Sequence, residues 1–169
     1  ILYSDDTEAG CALIMVDENT SQNEIVVIQG SCNTISDAEV DSLEDLLDGC
    51  EYMLTQLETN VSSVERIVDI ACNKGVKVIF NTEPVQQTSD ELLSKVDLIT
   101  PNEVEAEILT GVKVDSEEAA DKAAEWFFGK GVKRVLITLG GSGVYINNGD
   151  KKGIISDYKT HAINTTGAG

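Results

Sequence analysis

Val135-Leu136-Ile137-Thr138-Leu139-Gly140-Gly141-Ser142-Gly143 runs from an apolar segment rich in β-branched residues straight into three glycines. A short run that is apolar on both faces predicts a strand, Val135 to Leu139, buried within a parallel sheet. Glycine has no Cβ, so Gly140, Gly141 and Gly143 admit positive φ and a close approach to the main chain. That predicts a backbone cradle for an anion or a nucleotide at the strand's end. The competing reading is a glycine-rich turn into a following strand, Val144 to Ile146.

Strand and helix patterns alternate upstream of this stretch. Tyr52 to Gln56, Val76 to Phe80 and Val96 to Ile99 read as strands. Val61 to Asn73 reads as a helix with Val61, Val64, Val68 and Ala71 or Cys72 on one face, closed by Gly75. A short helix is predicted near Ser89 to Leu93. Another starts at Thr100-Pro101-Asn102-Glu103 and stops at Gly111, and Asp115 to Lys130 is the longest, burying Ala119, Ala123, Ala124, Phe127 and Trp126. This order implies right-handed βαβ crossovers, so the fold class is α/β: three layers, α/β/α, around a mostly parallel sheet. Gly153 to Ile155 and His161 to Ile163 are short and turn-rich, which predicts antiparallel strands at one edge. Nearer the start, Ala12 to Val16 and Glu24 to Ile28 predict a separate antiparallel pair. Between the two regions, Ser36 with Glu39 three residues on predicts a capped helix reaching Gly49 with Val40, Leu43, Leu46 and Leu47 inward.

The composition excludes several classes of partner. The chain has 169 residues, 30 acidic against 12 basic, for a formal charge of -18, and its basic residues form no cluster. Nucleic acid and anionic membrane surfaces repel such a chain. A phosphorylated ligand is still admitted, because N–H groups at a helix start hold phosphate without basic side chains. Cys11, Cys32, Cys50 and Cys72 are widely spaced with no Cys-x-x-Cys pair, and His161 is the lone histidine. Buried reduced thiols in a cytoplasmic protein are expected, with two disulfides as the alternative. No apolar run reaches the roughly 18 residues that span a bilayer. Ile1 and Gly169 read as cut edges of a longer protein.

In open α/β sheets ligands gather beyond the carboxyl ends of the strands, where Gln56, Asn81, Asn102 and Thr138 to Gly143 would emerge. Asn102 and Glu105 stand three apart at a helix start; either they form a capping box or Glu105 helps to place Mg2+ through water. Thr100 and Glu103 offer an overlapping box. Glu58, in Gln56-Leu57-Glu58-Thr59-Asn60, is either a solvated loop acid or an acceptor for polyol hydroxyls. The terminal Asn164-Thr165-Thr166-Gly167-Ala168-Gly169 is either a glycine-rich lead into a helix or a nest of N–H groups that stabilises charge on a transferring phosphoryl group.

Gln56-Leu57-Glu58, then Thr100 to Glu107, then Ile137 to Gly143, then Thr165 to Gly169 occur in an order that resembles the ribokinase-like carbohydrate kinases, the phosphofructokinase B family. The resemblance covers nearly the whole chain, as one incomplete domain of residues 1–169, with 12–28 as strands of a lid. It implies an ATP- and Mg2+-dependent kinase acting on a sugar's primary hydroxyl, O5 of ribose first. Fructose, a keto-deoxy sugar acid or a nucleoside are the alternatives, and a nucleotide-binding member without turnover is the non-enzymatic one. By the same resemblance Glu58 binds the sugar, and Asn102 approaches the nucleotide phosphates. Thr138, Leu139, Gly140, Gly141, Ser142 and Gly143 contact ATP, and Glu105 organises the water shell of Mg2+. Gly167, Ala168 and Gly169 form the anion hole, with the general base, an Asp, expected immediately after Gly169. A homodimer joined through the lid is the implied assembly.

Two departures from the family pattern are visible. Asn164 stands where an Asp is usual, which removes a negative charge from the K+ site that Asn164 and Thr166 would serve and so weakens it. The family's Asn-Pro-Ala-Pro loop reads Asn81-Thr82-Glu83-Pro84 here.

Overall fold

The computed structural model describes residues 3, 5–17 and 23–158. The expected strand at His161 to Ile163 lies outside them. Among the described residues there are two sheets. Strands β1 (Cys11–Val16) and β2 (Asn23–Ile28) pair antiparallel as a separate ribbon, with Leu13 opposite Val26. Leu13, Ile14, Met15, Ile25, Val26, Val27 and Ile28 are all exposed, so the ribbon shows apolar side chains on both faces.

The main sheet has six strands in the order β3 (Tyr52–Thr55), β4 (Lys77–Phe80), β5 (Leu98–Ile99), β6 (Val135–Thr138), β7 (Val144–Asn147) and β8 (Lys152–Ile155). The first three pairings are parallel and the last two antiparallel, as the alternation of strand and helix patterns followed by short turns predicts. Because β3 to β6 are neighbours in sequence order, right-handed crossovers carry every connecting helix over the same face. The row Thr55–Phe80–Ile99–Val135 lies under them. Phe80, Ile99 and Val135 are fully buried there, while Leu54, on the opposite face, is 75% exposed.

Each helix forms for a local reason. Helix α2 (Val61–Asn73) buries Val64, Val68 and Ala71 at helical spacing, and α5 (Glu117–Gly129) buries Ala120, Ala123, Ala124 and Phe127 behind a Ser116 cap. Ala119 is only half-buried, and Trp126 packs from the margin in an edge contact with Phe127. Between β4 and β6, α3 (Asp90–Ser94) is capped by Ser89, and α4 (Glu103–Thr110) ends on Gly111 at φ 73°.

One expected helix is shorter than its pattern. Ser36 and Glu39 do form the capping box, but α1 spans only Asp37–Asp41 before a 3-10 turn at Glu44–Leu47. The Ser42 hydroxyl donates back to the Glu39 carbonyl at 2.6 Å, an alternative partner for the backbone that ends the helix. Leu43 and Leu46 are consequently exposed, and only Val40 is fully buried. Cys11, Cys32, Cys50 and Cys72 are free thiols; the first three are exposed, against the expectation of burial, because Cys11 lies on the ribbon, Cys32 in the 3-10 turn after it and Cys50 in the loop before β3.

Asp97 ties the sheet together where β5 begins. It is 8% exposed, accepts the Val78 N–H at 3.0 Å and pairs with Lys133 at 2.8 Å. Burial pushes its carboxyl up, but Lys133 and the Val78 N–H outweigh that and hold it below the usual carboxylate value. A depressed carboxyl contributes stability that is fully present above its unfolded value, near 4, and is lost as pH falls through the folded one. Asp97→Asn should therefore cost about 1–2 kcal/mol at neutral pH, and the gap between variant and parent should close as pH drops below about 4. Urea unfolding of the full-length protein across that range measures it.

Candidate functional site

The carboxyl ends of β3, β4, β5 and β6 open on one rim, and the sequence candidates that fall in the described residues emerge there. Leu57 and Glu58 follow β3, Asn81 to Pro84 follow β4, Asn102 and Glu105 follow β5, and Leu139 to Gly143 follow β6. Strands spaced about 4.8 Å apart put the β3 end roughly 14 Å from the β6 end.

Asn102 and Thr138 meet directly. The Thr138 N–H donates to the Pro101 carbonyl at 3.0 Å, and Asn102 and Thr138 form a parallel bridge that extends the β5–β6 pairing past the end of β5 to the last residue of β6. This brings together two clusters separated by the α4–α5 crossover.

Asn102 is the N-cap of α4. Its Oδ1 accepts the N–H groups of Val104 and Glu105, each at 2.9 Å, and the Glu105 carboxylate returns to the Asn102 N–H at 3.0 Å. The capping box is therefore formed by Asn102 and Glu105, and the overlapping Thr100–Glu103 alternative is not used. The cap consumes the amide oxygen and leaves the Asn102 NH2 as the donor at a helix N-terminus, where anions are favoured.

Glu105 is 7% exposed, and its hydrogen bonds fall on one oxygen: Oε2 accepts from the Asn102 N–H and, at 2.7 Å, from the Thr82 hydroxyl. Oε1 carries no bond among the described residues. A carboxylate with one open oxygen at a helix start fits Mg2+, which keeps several of its waters and takes few protein ligands. Among the described residues no three ligating side chains converge into a cage.

The glycine loop is a tight turn as well as a rim. Gly140–Ser142 make a 3-10 turn closed by Leu139 N–H to Gly143 O at 2.9 Å, Ser142 N–H to Leu139 O at 3.0 Å and Gly143 N–H to Gly140 O at 3.2 Å. The three glycines are not equivalent. Gly143, at φ 99°, lies so close to β8 that a Cβ would stand 2.1 Å from the Ile155 carbonyl, and Gly140 sits at φ 51°. Gly141 has nothing within 4 Å of where its Cβ would be, so it faces open space. A cleft of about 250 Å3 adjoins the turn, lined by Glu103, Leu139, Ser142, Ile154 and the Val114–Glu117 segment, which the sequence reading did not single out. A larger cavity, about 430 Å3, lies between residues 85–90 and helices α4 and α5 and shares no residue with the motifs, so its size says nothing about them.

Glu58 is exposed on its loop. The loop itself is anchored: Leu57, fully buried, donates its N–H to the Glu83 carbonyl at 3.0 Å and accepts from Gln86 Nε2 at 2.7 Å. Asn164, Thr166, Gly167, Ala168 and Gly169 lie outside the described residues. Thr82 is the site neighbour that sequence reading noticed without giving it a role; the signal was a hydroxyl where the resembling loop has proline.

The model of the pfkB family carbohydrate kinases matches residues 1–169. Ribokinase of Haemophilus influenzae is 46% identical over 160 residues, covering 95% of this chain and 52% of that protein. Deoxyribokinase of Salmonella typhi is 30% identical over 164 residues, covering 96% and 53%. Among solved structures, Arabidopsis thaliana ribokinase complexed with ribose and ATP superposes with a TM-score of 0.76 at 26% identity, covering 89% of this chain and 49% of that one. The chain thus spans about half the length of these relatives.

The glycines give a stability test that involves no ligand. Gly143→Ala should cost more than about 3 kcal/mol or prevent folding, whereas Gly141→Ala should stay within about 1 kcal/mol of the parent. Thermal unfolding of the two variants checks the order, and equal losses would contradict the division of roles between turn and rim.

Proposed function

The chain belongs to the pfkB family of carbohydrate kinases, and from that premise we propose that the protein it forms part of transfers the γ-phosphoryl group of ATP to the primary hydroxyl of a sugar, O5 of ribose first. The observation that carries this reading is the Asn102–Thr138 bridge, which sets a helix N-terminus and a glycine turn side by side at one end of the sheet. Phosphoryl transfer asks little covalent chemistry of a protein; positioning and charge stabilisation account for it.

In this reading the Asn102 NH2 donates to the nucleotide phosphates, and Thr138, Leu139, Gly140 and Ser142 line the nucleotide. Gly141 lets it lie against bare backbone, and Gly143 shapes the turn. The amides of Leu139, Ser142 and Gly143 are spent inside the turn, which leaves those of Gly140 and Gly141 to face a ligand. Glu58 accepts hydrogen bonds from sugar hydroxyls at the β3 end of the rim, about 14 Å from the glycine turn at the β6 end, a separation suited to a sugar and a triphosphate laid end to end. Glu105 holds water toward Mg2+, which when bound neutralises charge on the phosphates. Gly167, Ala168 and Gly169 serve as the anion hole, an Asp following them as the base, and Asn164 with Thr166 as a weak K+ site. The ribbon of β1 and β2 serves as a lid, and its exposed apolar faces support pairing of two lids in a homodimer. The cytoplasm suits four free thiols.

Ribose is preferred because the 46% identical relative is a ribokinase, and the deoxyribokinase relative makes 2-deoxyribose the competing acceptor. Assay of the full-length protein with ATP, Mg2+ and a panel of pentoses, hexoses, their deoxy forms and nucleosides should give fastest turnover on ribose. Glu58→Gln should raise the KM for that sugar about tenfold or more, with a smaller effect on the KM for ATP. Absence of turnover on every acceptor would end the kinase reading.

A further inference from the structure

We infer that Thr82 is a positioning residue for the metal-facing carboxylate: its hydroxyl locks the Glu105 side chain so that Oε1 is presented to the water shell of Mg2+. This rests on the role proposed above for Glu105. Thr82 lies in the loop that follows β4, on a different part of the chain from α4, and is only 1% exposed. Its Oγ1 donates to Glu105 Oε2 at 2.7 Å, a well-formed O–H···O hydrogen bond.

The geometry separates this contact from an ordinary stitch between loop and helix. The capping box already supplies one donor to Oε2, the Asn102 N–H at 3.0 Å, but that bond is internal to the first turn of α4. A single donor leaves the carboxylate free to turn about it. The Thr82 hydroxyl reaches the same oxygen from outside the helix, and its own χ1 is stiff because threonine is β-branched. Two donors on Oε2 fix the plane of the group and direct Oε1 away from both. Partners of metal-side carboxylates act in this way, by orienting a ligand they do not replace.

The experiment uses the full-length protein with Thr82→Val, which keeps the branched shape and removes the hydroxyl, and Thr82→Ser, which keeps the hydroxyl. Mn2+ serves as the probe, titrated into the protein bound to a non-hydrolysable ATP analogue and followed by the electron paramagnetic resonance of the free ion. Thr82→Val should bind Mn2+ about tenfold more weakly and shift half-saturation by Mg2+ in turnover by a similar factor, with the sugar KM little changed. Thr82→Ser should return both to within about twofold. If the valine variant does not fold, Thr82→Ala carries the same expectation. A lowered melting temperature with unshifted Mn2+ binding would show that the hydroxyl only fastens the loop, and would overturn the assignment alone. A parent protein that phosphorylates no acceptor would remove the kinase reading and this assignment with it.

Discussion

A single backbone hydrogen bond, Thr138 N–H to the Pro101 carbonyl, joins the start of α4 to the end of β6. It carries the parallel pairing of β5 and β6 from Ile99–Val135 on to Asn102–Thr138, past the end of β5 and up to the last residue of β6, so the loops that follow leave the sheet in contact. That contact sets the Asn102 cap beside the glycine turn, while each of the two is closed by hydrogen bonds of its own. Parallel pairing matters because it puts strand ends, rather than an end and a beginning, at the same edge. The same rule places Glu58 on that edge three strands away.

Around this rim, hydrogen bonds divide the polar atoms into those spent on structure and those left over. Asn102 spends its oxygen on the α4 N-terminus and keeps its NH2; Glu105 spends Oε2 and keeps Oε1. The question of cap or ligand, posed for this pair by its spacing, has an answer in which the two roles are compatible, since each side chain has two ends. The loop of residues 81–86 performs a similar double duty. It bonds Glu105 through Thr82 on one side and Leu57, next to Glu58, through Glu83 and Gln86 on the other. The two ends of the rim are thereby braced against one segment.

Much of this was legible in residue order, and the reasons are physical. Val61 to Asn73 could be bounded to the residue because an apolar stripe at helical spacing runs uninterrupted to Gly75, and Gly111 at positive φ ends α4 where a glycine after Thr110 says it should. The stretch after Ser36 misled because Leu43 and Leu46 repeat at a helical interval, yet the Ser42 hydroxyl takes the backbone carbonyl and the helix stops. The glycines of residues 140–143 could be recognised as a group but not told apart. Gly143 is required by the passage of Ile155, a neighbour that comes close only once β8 has folded back, and no spacing rule carries that information. Thr82 stayed unread for the same reason, since its partner lies on another element.

The reversal of direction at Leu139–Gly143 also bears on how the rim is assembled. A turn of this length brings β6 and β7 together at small cost in chain entropy and on the timescale of a hairpin, whereas β5 meets β6 only after the long excursion through α4 and α5 has closed. Loop length separates the two halves in entropic cost: the glycine half of the rim closes a short loop, and the Asn102 half closes a long one.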